Sequence, residues 1–140
     1  MTGVITAALA IEPTARSTRA IGPWLRDALA GLDPAAADAL MSRMELAVHE
    51  VCMNVVDHAD LPAGGRIELS LALGPRDLTV WVRDGGPGFD LAAVPDPAGH
   101  ELQERGYGLK IVRALVDDLT YRHTAAGNEL ALRIDLEGSP

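Results

Sequence analysis

Three short motifs, in a fixed order, constrain the fold of this chain more than any other feature. The segment 50–54 lies in an apolar helical run, the glycine-rich segment 84–88 follows a strand-like run, and the segment 106–109 begins another helix. Each motif alone is a weak signal. Because all three fall within about sixty residues and each lies on a defined element, together they predict one pocket between a long helix and two glycine-rich bends.

Apolar periodicity predicts the order strand, helix, helix, strand, strand, loop, helix, strand, strand. The predicted strands cover residues 4–11, 66–73, 78–83, 119–123 and 129–136, and the predicted helices cover residues 14–32, 34 to about 59, and 107–118. The long loop at 90–104 is expected to act as a lid. Hairpins with helices grouped between them indicate an α+β fold, a two-layer sandwich whose mixed, mostly antiparallel sheet is covered on one face by three helices. We expect residues 1–140 to form a single domain.

The composition argues against several classes of protein. A net charge of −8 argues against a nucleic-acid-binding face, because phosphate backbones are bound by basic patches. No run approaches the ~18 apolar residues that span a bilayer, and the N-terminus lacks the basic start of a signal peptide. The single cysteine, Cys52, is expected to be a small buried apolar side chain. We therefore expect a cytoplasmic protein that binds neither a membrane nor nucleic acid directly.

The first motif places Glu50, Asn54 and Asp57 on one face of the second helix, because their spacings are four and three residues. Such a row is often only a solvated helix face. Here the residues 51–56 are mostly apolar, which indicates a turn buried nearly all round, and buried polar groups need partners. A magnesium ion with substrate phosphates is one such partner for Asn54. Glu50, one turn earlier, could accept the proton of an attacking hydroxyl or water.

The second motif, residues 84–88, is either a tight turn or an adenine site. In an adenine site, the carboxylate of Asp84 would accept a hydrogen bond from the exocyclic amine of the base, and this would select adenine over guanine. The glycines that follow would let the backbone approach the flat base where a Cβ would clash.

The third motif, residues 106–109, is either a hinge before a helix or a phosphate site. Glycines at a helix start leave amide groups that can bind phosphate, and the helix dipole favours the anion. Arg105, directly before the glycines, is a better phosphate partner than Lys110. The motif is not a dinucleotide fingerprint, because no third glycine follows at the spacing that the G-x-G-x-x-G pattern requires. It is not a phosphate-binding loop either, because the G-x-x-x-x-G-K-[ST] pattern does not occur in the sequence.

These three motifs resemble those of the GHKL ATPase superfamily, which has the Bergerat ATP-binding fold and is also called HATPase_c. Residues 50–54 resemble its N box, residues 84–88 its first glycine box (D-x-G-x-G) and residues 106–109 its second (G-x-G-L). Within the superfamily the chain is most similar to the anti-sigma-factor serine kinases of the RsbW/SpoIIAB type. It shares with them a small single domain, a short lid and the pattern Glu-x-x-x-Asn-x-x-x-His, which ends at His58.

The resemblance implies ATP and Mg²⁺ as cofactors, with Glu50 as the catalytic base, Asn54 as the metal ligand and Asp84 as the adenine contact. The implied nucleotide site also includes residues that follow the metal ligand or lie in and beside the glycine boxes, namely Asp57, His58, Gly86, Gly88, Phe89, Arg105, Gly106, Tyr107, Gly108 and Leu109. One departure concerns the last hairpin. Many members carry a Gly-Thr pair there, whereas this chain has the segment 127–129, Gly-Asn-Glu, and so lacks that hydroxyl.

The resemblance further implies an anti-sigma factor that sequesters a sigma factor and phosphorylates a serine of its antagonist, a STAS-domain anti-anti-sigma factor. Homodimers are common in the family. One alternative is a regulatory binding module without kinase activity, which has no need of a base such as Glu50. Another is the ATP-binding part of a sensor histidine kinase, against which we note that no helical hairpin with a phospho-accepting histidine precedes the motifs.

Overall fold

The structure, a computed structural model, describes residues 3–58, 65–85 and 110–136. Within these ranges the chain forms five strands, a 3₁₀ helix and three α-helices. Their bounds are β1 Ile5–Ile11, the 3₁₀ helix Arg16–Ala20, α1 Ile21–Ala28, α2 Pro34–His58, β2 Ile67–Leu73, β3 Asp77–Asp84, α3 110–115, β4 Asp118–Thr124 and β5 Gly127–Asp135. The order of helices and strands is the predicted one.

The five described strands form one sheet in the order β1-β2-β3-β5-β4. Every pairing between them is antiparallel, so this part of the sheet is not mixed as the sequence had suggested. β2 and β3 form the predicted hairpin, whose turn is closed by a 2.9 Å hydrogen bond from the Gly74 N–H to the Asp77 carbonyl. Because β5 pairs with β3 as well as with β4, Asn128 lies directly opposite Asp84.

One face of the sheet is buried under the helices. The predicted alternation of β2 is confirmed, because Ile67 and every second residue after it are buried whereas Glu68 is exposed. α2 covers this face with an apolar stripe at helical spacing, formed by Leu40, Met44, Val48, Val51 and Val55. Val112 of α3 and Val116, directly after this helix, belong to the same core. The predicted α+β sandwich, with helices on one face of the sheet, is therefore confirmed.

The predicted helix 14–32 is wrong in its extent. Residues 14–20 form a turn and the 3₁₀ helix, and α1 begins only at Ile21. Pro23 lies in the first turn of α1, where a backbone N–H has no acceptor within the helix. The Gly-Pro pair thus marks the start of α1 rather than interrupting a longer helix. α1 ends at Ala28, because the dihedral angles of the next residue, Leu29, are no longer helical (φ −92°, ψ 3°).

The helix predicted at 107–118 ends earlier than expected, and its first three residues lie outside the described ranges. α3 stops at Leu115, whose carbonyl oxygen accepts a 2.8 Å hydrogen bond from Nε of Arg43 on α2. Two residues later the Asp117 N–H already donates to the carbonyl of Arg133 on β5. The chain therefore leaves the helix because its backbone enters the sheet.

α2 begins where its start signal predicted. The side chain of Asp33 accepts a 3.3 Å hydrogen bond from the Ala36 N–H, and Pro34 is the first helical residue. The helix runs for 25 residues, which brings Glu50 and Asn54 into its last third. Neither α2 nor any other helix within the described ranges combines the length and the apolar character needed to cross a membrane.

Candidate functional site

The polar row of α2 lies at the margin of its contact with the sheet. α2 packs against β3 and β5, and its residues Val51 and Val55 are buried in the hydrophobic core. Glu50 and Asn54 are half-buried, and Asp57 is exposed. The expectation of a turn buried nearly all round is therefore wrong for its polar side chains, which remain accessible to a ligand.

Asp84 lies on the same side of the sheet as this polar row. It is the last residue of β3 and is half-buried. Successive strand residues point to opposite faces, so Asp84 shares the helix-covered face with the buried Val82. Asp84 and α2, which carries Glu50 and Asn54, thus lie on the same side of the sheet.

Asn128 contacts Asp84 from the neighbouring strand. Its Nδ2 donates a 3.0 Å hydrogen bond to Oδ1 of Asp84. Its Oδ1 accepts a 2.5 Å hydrogen bond from the Tyr121 hydroxyl and lies 3.1 Å from Nδ1 of His123, both on β4. Sequence reasoning noted Asn128 only as the residue in place of a hydroxyl, and it missed Tyr121. The single signal for them was the Gly-Asn pair in the last hairpin.

Gly127 allows β5 to begin close to the end of β3. Its φ is +129°, a conformation that residues with a side chain rarely adopt. A Cβ built there would collide with the carbonyl oxygen of Asp84 and would lie 2.7 Å from Cα of Gly85. Glycine at this position therefore permits the close approach that puts Asn128 within reach of Asp84.

An open recess of about 540 Å³ adjoins the same end of the sheet. Asp84 and Asn128 contribute to its wall, but Glu50 and Asn54 do not. Its charged lining includes side chains that lie on the face away from the helices and pair with one another, with Glu129 bonded to Arg83 at 2.6 Å and to Arg122 at 2.9 Å. This recess therefore does not join Asp84 to the polar row of α2.

Of the predicted site residues, the structure describes the side chains of Glu50, Asn54, Asp57 and Asp84. His58 is the last residue of α2, and its side chain lies outside what the structure describes. The remaining predicted residues lie outside the described ranges as well, namely Gly86, Gly88, Phe89, Arg105, Gly106, Tyr107, Gly108 and Leu109. The geometry of both glycine boxes beyond Gly85 therefore stays a prediction.

The donor groups present fit a nucleotide with magnesium. Magnesium prefers oxygen ligands and takes few of them from protein, the rest coming from phosphates and water. Asn54 offers a neutral amide oxygen on a half-buried, accessible helix face, and Glu50 lies one turn before it. On the same side of the sheet, Asp84 offers a carboxylate, held by Asn128, that can accept a hydrogen bond from the amine of an adenine base.

Cys52, on the same turn of α2, is not part of this chemistry. It is fully buried, as the sequence predicted. Burial raises the pKa of its thiol to about 12, because the thiolate would lose its hydration. A thiol in this state is a poor nucleophile near neutral pH.

The sequence of this chain matches the model of one protein family over most of its length. The model of the histidine kinase-like ATPase domain matches residues 11–134. The chain belongs to this family. The family model thus includes α2, the strands that carry Asp84 and Asn128, and all three motifs, so the resemblance to the GHKL superfamily drawn from the sequence is confirmed.

Curated relatives of this family member are named serine-protein kinase RsbW. The chain is 30% identical over 91 residues to the protein of Bacillus mycoides, in a match that covers 59% of this chain and 57% of the relative. It is 31% identical over 88 residues to that of Bacillus anthracis, covering 57% and 55%. The chain therefore matches little more than half of the length of these relatives.

Solved structures show the same fold. The RsbU and RsbW domains of a Mycobacterium tuberculosis protein align with a TM-score of 0.67 and 22% identity, over 94% of this chain and 32% of that one. A histidine kinase domain from a blue-light-activated kinase of Erythrobacter litoralis aligns with a TM-score of 0.56 and 23% identity, over 87% and 60%. At these identities the likeness concerns the fold alone.

Proposed function

We propose that this chain is an ATP-dependent protein-serine kinase that also acts as an anti-sigma factor. It would sequester a sigma factor and phosphorylate a serine of a STAS-domain antagonist. The observation that carries the proposal is the placement of Asp84, Glu50 and Asn54 on the helix-covered side of the sheet in a member of an ATPase-domain family. The relatives named serine-protein kinase RsbW support the choice of reaction.

Each residue has a role that follows from its chemistry. Phosphoryl transfer requires positioning and charge stabilisation more than covalent participation by the protein. Asp84 accepts a hydrogen bond from the adenine amine and so orients the nucleotide. Glu50 accepts the proton of the attacking serine hydroxyl, for which a half-buried carboxylate on a rigid helix is suited.

Asn54 would hold the metal through its amide oxygen, which adds no negative charge beside the phosphates. Magnesium bound with ATP supplies neutralisation of the charge that develops on the phosphate oxygens. The exposure of Asp57 favours a place at the rim, in contact with solvent rather than with phosphate.

The test compares Glu50→Gln with Glu45→Gln in the purified chain. Glu45 lies on the same helix but is exposed on another face, so its variant controls for loss of one carboxylate. We expect Glu50→Gln to lower the rate of phosphate transfer by roughly 10²-fold or more and to leave the Kd for ATP nearly unchanged. In the same assay, Asn54→Ala should weaken ATP binding with Mg²⁺ present and change it little in EDTA.

The acceptor is identified by a pull-down from the source cell lysate with and without ATP, followed by mapping of phosphoserine on the retained proteins. Transfer to a small STAS-domain protein, lost in Glu50→Gln, supports the proposal. A stoichiometric complex with no phosphate transferred to any retained protein contradicts it and favours a binding module that uses nucleotide only as a structural ligand.

A further inference from the structure

Asn128 is an unusual residue for the interior of this sheet. Only 7% of it is exposed, and Thr18 is the one other polar residue classed as buried within the described ranges. Burying an amide is costly unless its donors and acceptors are satisfied. Its partners come from both neighbouring strands, Asp84 on β3 and Tyr121 and His123 on β4.

The hydrogen bonds that link Asp84, Asn128 and Tyr121 across the three strands determine which way the amide of Asn128 points. An ionised carboxylate only accepts hydrogen bonds, so Asp84 must face the NH₂ group of Asn128. The oxygen of Asn128 then faces the Tyr121 hydroxyl, which donates to it. A reversed amide would place its oxygen against the carboxylate of Asp84 and lose the donor of Tyr121.

We propose that Asn128 is a positioning residue for nucleotide recognition, which holds the carboxylate of Asp84 in one orientation and is itself held by the Tyr121 hydroxyl. This inference rests on the proposed function, in which Asp84 accepts a hydrogen bond from adenine. An acceptor whose orientation is already fixed loses less rotational freedom when the ligand binds, so binding is tighter. The missing hydroxyl of the last hairpin is thus replaced by an amide donor that acts on Asp84 directly.

A double-mutant cycle between Asn128 and Asp84 tests this. The Kd for ATP with Mg²⁺ is measured by titration calorimetry for the wild type, Asn128→Ala, Asp84→Ala and the double variant. Because Asn128 acts through Asp84, we expect Asn128→Ala to weaken binding about ten-fold in the wild type and less than about two-fold when Asp84 is already alanine. Equal weakening in both backgrounds, or none in either, overturns the inference alone. Wild-type affinity in Asp84→Ala overturns the adenine contact of the proposed function as well.

A second measurement separates positioning from general damage to the fold. Purine riboside triphosphate lacks the 6-amine, so its binding does not use the acceptor at Asp84. Asn128→Ala should lower the preference for ATP over this analogue and leave the Kd for the analogue nearly unchanged. Equal loss of both ligands would show a structural role only.

If Asn128→Ala does not fold, Tyr121→Phe tests the same hydrogen-bond network. It removes one hydroxyl from a half-buried ring and should weaken ATP binding by about two- to five-fold, again only when Asp84 is present. Thr120→Val is the matched control, because it removes an exposed hydroxyl from the adjacent residue on the opposite face of β4. An effect of Thr120→Val as large as that of Tyr121→Phe, or no effect of Tyr121→Phe, would exclude the role of the Tyr121 hydroxyl.

Discussion

At the scale of single residues, Gly127 determines how closely β5 can approach the end of β3. Gly127→Ala forces a side chain into a backbone conformation with φ of +129° and brings its Cβ against the carbonyl of Asp84. We expect a loss of at least about 2 kcal/mol in the free energy of unfolding, measured by urea titration.

Gly31→Ala is the control for this substitution, because no atom lies within 4 Å of a Cβ built at that glycine. Its free energy of unfolding should stay within about 0.5 kcal/mol of the wild type. Similar losses in the two variants would show that the close approach at Gly127 does not matter for stability.

Single residues also mark the limit of what the sequence could predict about the site. The positions of Glu50 and Asn54 on α2 and of Asp84 at the end of β3 could be predicted, because helical spacing and a strand end define them without knowledge of the sheet. The contact of Asn128 with Asp84 could not be predicted, because it depends on the register between β3 and β5, which are 44 residues apart at this pair. Tyr121 reaches the same amide from a third strand, and its position relative to Asn128 depends on the β4–β5 register.

At the scale of the element, the start of α2 depends on one side chain. Asp33→Ala removes the acceptor for the Ala36 N–H, and we expect a loss of about 1 kcal/mol in the free energy of unfolding. Asp38→Ala, an exposed position one turn further along the same helix, removes the same charge without removing a cap and should cost less. The two variants are compared by thermal and urea unfolding. Equal losses would mean that charge near the helix start, and not the capping hydrogen bond, is responsible.

The accuracy of the predicted elements followed the strength of their local signals. α2 was predicted nearly to its ends because Asp33 and Pro34 form a complete start signal and its stripe repeats over many turns. The segment 14–32 was predicted as one helix, but its apolar residues at helical spacing all lie in 21–32, and the 3₁₀ helix at 16–20 has the largely polar sequence Arg-Ser-Thr-Arg-Ala. Because residues 16–20 carry no apolar pattern, periodicity could not predict that they form a short 3₁₀ helix instead of the first turns of α1.

At the scale of the whole molecule, the sheet has one face that belongs to the core and one that does not. On the helix-covered face, apolar residues of the five described strands join residues of α1, α2 and α3 in one hydrophobic core. On the other face, Glu68, Arg83, Glu129 and Arg122 follow one another across neighbouring strands, with alternating charge. The alternation of β2 and β3 predicted this division, since period-two patterning indicates a sheet covered on one side. Asp84 lies where the covered face reaches the end of β3, and Glu50 and Asn54 lie beside the buried residues of the helix that covers this face.

The core makes Cys52 a probe of the folded state as a whole. Burial raises the pKa of its thiol from 9.0 to about 12, so above pH 9 the unfolded chain loses this proton while the folded chain keeps it. The free energy of unfolding should therefore fall by about 1.4 kcal/mol per pH unit between pH 9 and 12 from this group alone. Cys52→Ala removes the effect and leaves every other titrating group in place. Urea titrations at pH 8, 9, 10 and 10.5 should show the wild type losing stability relative to Cys52→Ala as the pH rises. If the free energies of unfolding of the two proteins instead change in parallel with pH, the thiol ionises as readily in the folded core as in the unfolded chain.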